Sequence, residues 1–255
     1  MPYETVRNHH YYYELEGQGP PLLLIGGYTA DITFWTPVRK NLSKHSTLIM
    51  LDNLGAGRSE VPSSFLPLEV LAEEALLLAE QLGFSKPSIL GHSMGGAMAQ
   101  ILALQFPERI DKVIVAQSFL KMPPANASTM ETVLKLYEAG VSARLRAEVI
   151  WPWLFGNRFL MNPRSKETFL SSFEKTAHPP TLKGLSLQLK ALLEFDSTLW
   201  YKKISKPLLI LSGSEDLLSG VPLQGTYTHT FQGVGHVAPA ENPSEFCLVV
   251  NNYLL

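Results

Sequence analysis

In Gly91-His92-Ser93-Met94-Gly95-Gly96, a serine has glycine two residues away on each side, at the point where one kind of sequence gives way to another. The apolar run Pro87-Ser88-Ile89-Leu90 leads in, and the helix-forming series Ala97 to Leu104 leads out. The pattern predicts strand, sharp turn, helix. Glycines at these positions let strand and helix pack closely and tolerate a strained backbone that lifts the serine hydroxyl clear of the sheet. Ser93 is therefore the candidate nucleophile. A serine hydroxyl is weak at neutral pH, so it needs a base to take its proton, a third group to hold that base in the right tautomer, and donors for the developing oxyanion. If the chain supplies none of these, the motif is only a Gly-rich turn before a core helix.

Composition narrows the chemistry. The 255 residues are 45% hydrophobic and 17% charged, enough for one large core carrying an insertion. A net charge of −2 gives no basic field to gather nucleic acid or an anionic membrane. The single cysteine, Cys247, has no intrachain disulfide partner, which points to a reducing, cytoplasmic setting and to a buried packing thiol. Met1-Pro2-Tyr3-Glu4-Thr5 lacks the basic and apolar regions of a signal peptide, and no apolar run reaches the roughly 18 residues of a membrane span.

The elements that must position Ser93 follow from periodicity. Thr5 to Glu16, rich in β-branched and aromatic residues around Asn8 and with a turn at Gly17-Gln18-Gly19-Pro20, predicts an opening antiparallel hairpin, with Tyr11-Tyr12-Tyr13 as strand packing. Leu22–Ile25, Leu48–Leu51 and Ile110–Ala116 are short unbroken apolar runs, the mark of strands buried on both faces. Helices are expected over Phe34–Leu42, Leu68–Leu82 and the series after Ser93, so strand and helix alternate and a mostly parallel sheet covered on both faces results. Active sites in such sheets lie at the carboxyl ends of the strands, where Gly26-Gly27, Asp52, Ser93 and Gln117-Ser118 should converge. The loop Asp52 to Ser59 has the glycine density of a phosphate cradle. It lacks the Lys-Ser/Thr ending of a P-loop and the spacing of a dinucleotide fingerprint, so it reads as a structural turn and no cofactor or metal is expected.

From Lys121 to about Lys203 the rhythm changes to helix after helix, punctuated by Pro123-Pro124, Gly140, Pro152, Gly156, Pro163 and Pro179-Pro180. This predicts an inserted helical cap over 121–203, between core segments 1–120 and 204–255. Between Lys121 and Asp196 ten Lys or Arg stand against seven Asp or Glu, a local excess of three positive charges. Trp151, Trp153, Phe155 and Phe159 are dense enough to roof a pocket or to form the cap's own core. The sheet resumes at Pro207–Leu211 and ends at about Tyr227–Phe231, and a helix from Pro243 to Leu254 closes the chain.

With the motif, the loops and their order in view, the chain resembles the α/β-hydrolase fold family. Besides Gly91 to Gly96, the matching pieces are the Asp52 to Ser59 loop, Ser212 to Asp216, and Gly235-His236 followed by Glu241-Asn242-Pro243. The resemblance implies an α/β fold with a mostly parallel eight-stranded sheet, helices on both faces and an inserted helical cap. The chain looks most like the capped small carboxylesterases, lactonases and carbon–carbon hydrolases, including the pimeloyl-carrier methyl ester esterases. Gly26-Gly27 stands where many members have His-Gly. Gly-Gly-Tyr-Thr is unlike the Gly-Gly-Pro-Gly of proline iminopeptidases, and a serine at the turn sets the chain apart from relatives that use aspartate there.

The resemblance orders a triad as Ser, acid, His. Of seven histidines, His236 lies on a Gly-rich loop after the final strand and is the expected base; His229 sits within a strand, and His92 cannot readily fold back onto its neighbour's hydroxyl. Asp216 is the expected acid, with Glu215 beside it as the alternative, and Asp52 should brace its own loop. The family's two oxyanion donors fall on the backbone amides of Tyr28 and Met94. Gly27, Tyr28, Trp151 and Trp153 are the expected substrate contacts. The implied reaction is hydrolysis of a carboxylic ester or thioester of a small to medium acyl substrate through an acyl-enzyme. Lactone or carbon–carbon hydrolysis with the same triad, and a non-catalytic ligand receptor, are the alternatives. The partner is a small-molecule ester, or an acyl carrier protein docked through Arg144, Arg146, Arg158 and Arg164.

Overall fold

The computed structural model describes residues 2–220 and 223–255. Strands β1 (Tyr3–Val6) and β2 (His9–Glu16) form the expected antiparallel hairpin, with Tyr3 opposite Tyr12. The tyrosine row is strand packing: Tyr11 is buried and its hydroxyl donates to the buried Glu74 at 3.0 Å. Strands β3 (Pro21–Ile25), β4 (Thr47–Leu51), β5 (Ser88–His92), β6 (Val113–Ala116), β7 (Leu208–Gly213) and β8 (Tyr227–Phe231) run parallel to one another. The eight strands lie in the order β1-β2-β4-β3-β5-β6-β7-β8. The chain leaves β3 for β4 on one side and returns to place β5 on the other, so the crevice where the order reverses opens above the carboxyl ends of β3 and β5.

The unbroken apolar strands make two cores because successive side chains point to opposite faces. Leu23, Ile25, Ile89, Val113 and Val115 pack beneath α2 (Leu68–Gln81) and α3 (Met94–Gln105). Leu22, Leu24, Leu90, Ile114 and Ala116 pack against α1 (Thr36–Leu42) and the late helix carrying Phe246, Cys247 and Val250. The helix expected from Phe34 begins as a 3₁₀ turn, Ile32–Trp35, because Pro37 occupies the first turn of α1, where a missing N–H costs nothing. Strand β6 is shorter than the run Ile110–Ala116, since the chain bends at Asp111 and the strand begins only at Val113.

Between β6 and β7 lie the cap helices α4 (Pro124–Glu138), α5 (Ala143–Leu154), α6 (Asn157–Leu160), α7 (Pro163–Lys175) and α8 (Leu182–Glu194). Their starts are local in origin: the side chains of Ser142, Asn162 and Thr181 accept first-turn amides of α5, α7 and α8. A β-bridge between Lys121 and Asp196 closes the base of this segment. After β8 come α9 (Ala238–Glu241) and α10 (Pro243–Leu254). Among the described residues, no helix is long and apolar enough to cross a membrane.

Candidate active site

Ser93 occupies the step between β5 and α3 with φ 53° and ψ −113°. A non-glycine residue in this region stores about 1–3 kcal/mol and persists only where its surroundings dictate it. The surroundings are glycine contacts. A methyl carbon at Gly91 would overlap Gly95 O and lie 2.8 Å from Gly96 N, and one at Gly96 would lie 2.6 Å from Ser118 Cβ. Hydrogen bonds complete the clamp: Ser93 N donates to Ala116 O at 2.9 Å, and Ser118 Oγ donates to Ser93 O at 2.8 Å. Gln117, the other half of the expected convergence, is buried, and both its side-chain polar atoms lack a partner among the described residues.

His236 is 4% exposed on the loop between β8 and α9. Its Nδ1 lies 3.0 Å from both carboxylate oxygens of Asp216, which stands in the loop after β7. A carboxylate can only accept, so Nδ1 carries the hydrogen and Nε2 keeps a lone pair, the tautomer that a base for serine requires. Asp216 Oδ1 also accepts from Leu218 N at 2.8 Å and Ser219 N at 3.1 Å, while Ser219 Oγ donates to Oδ2 at 2.6 Å. Burial alone would raise the Asp216 pKa, but His236 together with the Ser219 and Leu218 donors outweighs it and holds the carboxyl below the usual carboxylate range. Glu215 points elsewhere and accepts from Asn157 N at 2.6 Å. Thus Asp216 and not Glu215 meets His236. The Ser93 hydroxyl makes no hydrogen bond among the described residues; such bonds commonly tighten only around substrate.

Three residues to which sequence reasoning gave no such role hold this pair in place. Ser219 donates to Asp216, and its only sequence signal is a serine three residues after the acid. His92 Nε2 lies 2.7 Å from His236 O, so it donates there and braces the loop of His236. Burial, reinforced by neighbouring His236, lowers the His92 pKa to about 3, and the ring stays neutral. Glu241 Oε1 accepts from Gly235 N at 2.9 Å and Oε2 from Gly156 N at 2.8 Å, joining this loop to the cap. His236 N donates to Leu154 O at 2.7 Å across the same seam.

Across the crevice, β3 runs into Gly26-Gly27-Tyr28-Thr29. A methyl carbon at Gly27 would lie 3.2 Å from Ser93 Cβ, so glycine lets this loop come close to Ser93. The Tyr28 and Met94 amides have no acceptor among the described residues. Tyr28 is half-buried, its hydroxyl donates to Leu185 O on α8 at 3.2 Å, and burial pushes its pKa up. Asp52 braces its loop as expected, accepting from Ile32 N at 2.7 Å and Arg58 N at 2.8 Å.

Trp151 is 5% exposed and lies among Phe155, Phe159 and Phe169, with ring centroids 4.5–5.8 Å apart, which is packing within the cap. Trp153 packs half-buried against the larger core. Of the cap arginines, Arg144 pairs with Glu167 at 2.7 Å and Glu174 at 3.2 Å, and Arg146 lies over the Tyr137 ring and donates to Val141 O.

A family model described as "alpha/beta hydrolase fold" matches residues 20–243. RutD of Yersinia enterocolitica, provisionally named as a carbamate hydrolase, is 27% identical over 96% of this chain and 92% of its own. Among solved structures, the enol-lactonase from Burkholderia xenovorans LB400 superposes with TM-score 0.83 at 22% identity, covering 99% of both chains. A thermophilic esterase from Thermogutta terrifontis gives TM-score 0.83 at 23% identity, over 99% of this chain and 96% of its own.

Proposed function

Because this chain belongs to the α/β-hydrolase fold family, we propose that it is a serine hydrolase that cleaves a carboxylic ester or thioester of a small to medium acyl group through Ser93, His236 and Asp216. The observation that carries the reading is the buried Asp216–His236 pair at 3.0 Å, on loops at the same end of the sheet as the strained Ser93. Ser93 Oγ attacks the carbonyl carbon as its proton passes to His236 Nε2. The tetrahedral oxyanion forms against the Tyr28 and Met94 amides, each worth about 3 kcal/mol in transition-state stabilisation. Collapse breaks the bond to the leaving alcohol or thiol, which takes the proton from His236. Water, deprotonated by the same histidine, then attacks the acyl-enzyme and releases the acid and Ser93.

Residues 121–203 act in this reading as the cap over the acyl pocket, with Gly27 and Tyr28 on its floor. Engagement of Arg144 and Arg146 within the cap favours a free small-molecule substrate over an acyl carrier protein. Similarity to RutD over nearly the full chain supports a second reading, hydrolysis of a carbamate by the same steps.

The test is intact-mass analysis after treatment with a fluorophosphonate, followed by turnover on a panel of esters of increasing acyl length, thioesters, lactones and carbamates. The expected result is one adduct at Ser93 and a preferred class in the panel. Ser93→Ala should abolish the adduct and lower turnover by roughly 10⁶-fold, as when a triad acts as a unit. Absence of an adduct on the wild-type protein, or more than a tenth of wild-type turnover in Ser93→Ala, refutes the assignment. The first outcome points to a ligand receptor instead.

A further inference from the structure

The turn that carries the Tyr28 amide is built against the preferences of its own residues. Ala30 N donates to Gly27 O at 3.2 Å, closing a four-residue turn with Tyr28 and Thr29 at its centre. Thr29 has φ +64°, while Tyr28 is not among the positive-φ residues. Positive φ at the third position alone is the signature of a type II turn, which wants glycine or asparagine there. A β-branched threonine in that region is a steric outlier, so something outside the turn must hold it.

That group is Gln188, on cap helix α8 and 2% exposed. Its Oε1 accepts from Thr29 N at 2.9 Å, and its Nε2 donates to Leu54 O at 2.8 Å. The helix has a fixed seat: a methyl carbon at Gly184, one turn before Gln188, would lie 3.0 Å from Gly55 C and 3.1 Å from Gly55 Cα, so α8 touches the Leu54-Gly55 turn backbone to backbone. From the same turn's base, Asn53 Nδ2 donates to Gly26 O at 3.0 Å. The turn is thus held by Asn53 on one side and by Gln188 on the other. In a trans peptide N–H and C=O point in opposite directions. With Gly27 O directed at Ala30 N, the Tyr28 N–H of the same peptide unit points out of the turn.

We propose that Gln188 is a positioning residue for the Tyr28 oxyanion donor: it holds Thr29 in the left-handed conformation that keeps the Tyr28 amide directed out of the turn, which makes the chemical step depend on how α8 is seated. This rests on the serine-hydrolase reading above. Unlike a pocket residue, Gln188 acts on kcat more than on KM.

The experiment compares wild type, Gln188→Met and Gln188→Met/Thr29→Gly on one ester substrate, with thermal unfolding of each. Methionine keeps the length of glutamine and removes both hydrogen bonds. Since loss of one oxyanion donor costs about 10²–10³ in kcat and misorientation costs less, Gln188→Met should lower kcat roughly 10- to 100-fold with KM within about threefold. Glycine adopts positive φ without strain, so Thr29→Gly in that background should return at least about fivefold in kcat. A role of Gln188 in cap packing alone would not be rescued by a change in the turn. A kcat within twofold of wild type in Gln188→Met, a loss confined to KM, or no recovery with Thr29→Gly overturns the proposal. Hydrogen exchange on the wild-type protein gives a check that needs no variant: the Thr29 amide should be protected, and exchange at the free-peptide rate overturns the tie. If the wild type turns over no substrate, the hydrolase reading fails, and the exchange result still decides whether Gln188 holds the turn.

Discussion

Replacing Gly95 by alanine places a methyl carbon where it overlaps Ile25 O and lies 2.6 Å from Ile25 C and 2.8 Å from Gly26 O. Ordinary contact begins at 3.4 Å, so the carbonyl carbon alone leaves a deficit of about 0.8 Å. Neither partner yields readily: β3 is hydrogen-bonded to β4 and β5, and α3 carries Ser93 at its start. If α3 moves, Ser93 moves with it. A misplacement of 1 Å costs on the order of 100-fold in rate, so 0.8 Å scales to roughly 40-fold in kcat. Overpacking of this kind also costs about 3 kcal/mol of stability, a fall in Tm of about 6–12 °C for a chain of this size. The control is Gly27→Ala, whose methyl would stand 3.2 Å from Ser93 Cβ and 3.3 Å from His92 Nδ1, only about 0.2 Å short. The same scaling gives a two- to threefold loss. Ester turnover, the rate of fluorophosphonate labelling and a thermal melt measure all three quantities. If Gly95→Ala melts within 2 °C of wild type and keeps a third of its turnover, or if Gly27→Ala is the more damaging change, close packing of the glycines does not set the geometry of Ser93.

Other consequences are open to test. Ser219→Ala removes the 2.6 Å donor to Asp216 and should cost about 1.5–3 kcal/mol in urea unfolding at pH 7, the usual worth of a hydrogen bond to a charged group; a loss under 0.5 kcal/mol would mean that the hydroxyl is dispensable. His92, with its pKa lowered to about 3 when folded and near 6.5 when unfolded, contributes stability that is complete above pH 6.5 and lost as pH falls toward 3. Between pH 7 and pH 5 this amounts to about 2 kcal/mol, and His92→Gln should be less pH-sensitive by that amount; equal slopes for the two proteins would contradict it. Cys247 is buried, and burial pushes its thiol up to about 11, so native protein at pH 8 should resist iodoacetamide while urea-unfolded protein reacts.

Much of this architecture was legible because its causes are local. Unbroken apolar runs such as Leu22–Ile25, bounded by turn residues, read as strands covered on both faces, and glycines around Ser93 announce a sharp strand-to-helix step. The neighbours of these elements are other backbones, and backbone pairing depends little on which side chain arrives. The cap was harder to read. Trp151 and Trp153 look alike in sequence, yet one packs among Phe155, Phe159 and Phe169 and the other against the larger core. Arg144 and Arg146 read as exposed docking charges until Glu167, Glu174 and the Tyr137 ring occupy them.

For this chain, then, sequence alone determined the alternation of elements, the sheet with its cores on two faces and the identity of the serine at the turn. Which acid meets His236 rested on resemblance until the fold placed Asp216 against the ring and sent Glu215 to Asn157. Ser219, Glu241, His92 and Gln188 gained their roles only in three dimensions, through bonds that reach as far as 159 residues along the chain. The physical reason is range. Periodicity and turn chemistry act over a few neighbouring residues, whereas the partner of a buried donor or acceptor depends on which distant loop the closed sheet brings within 3 Å.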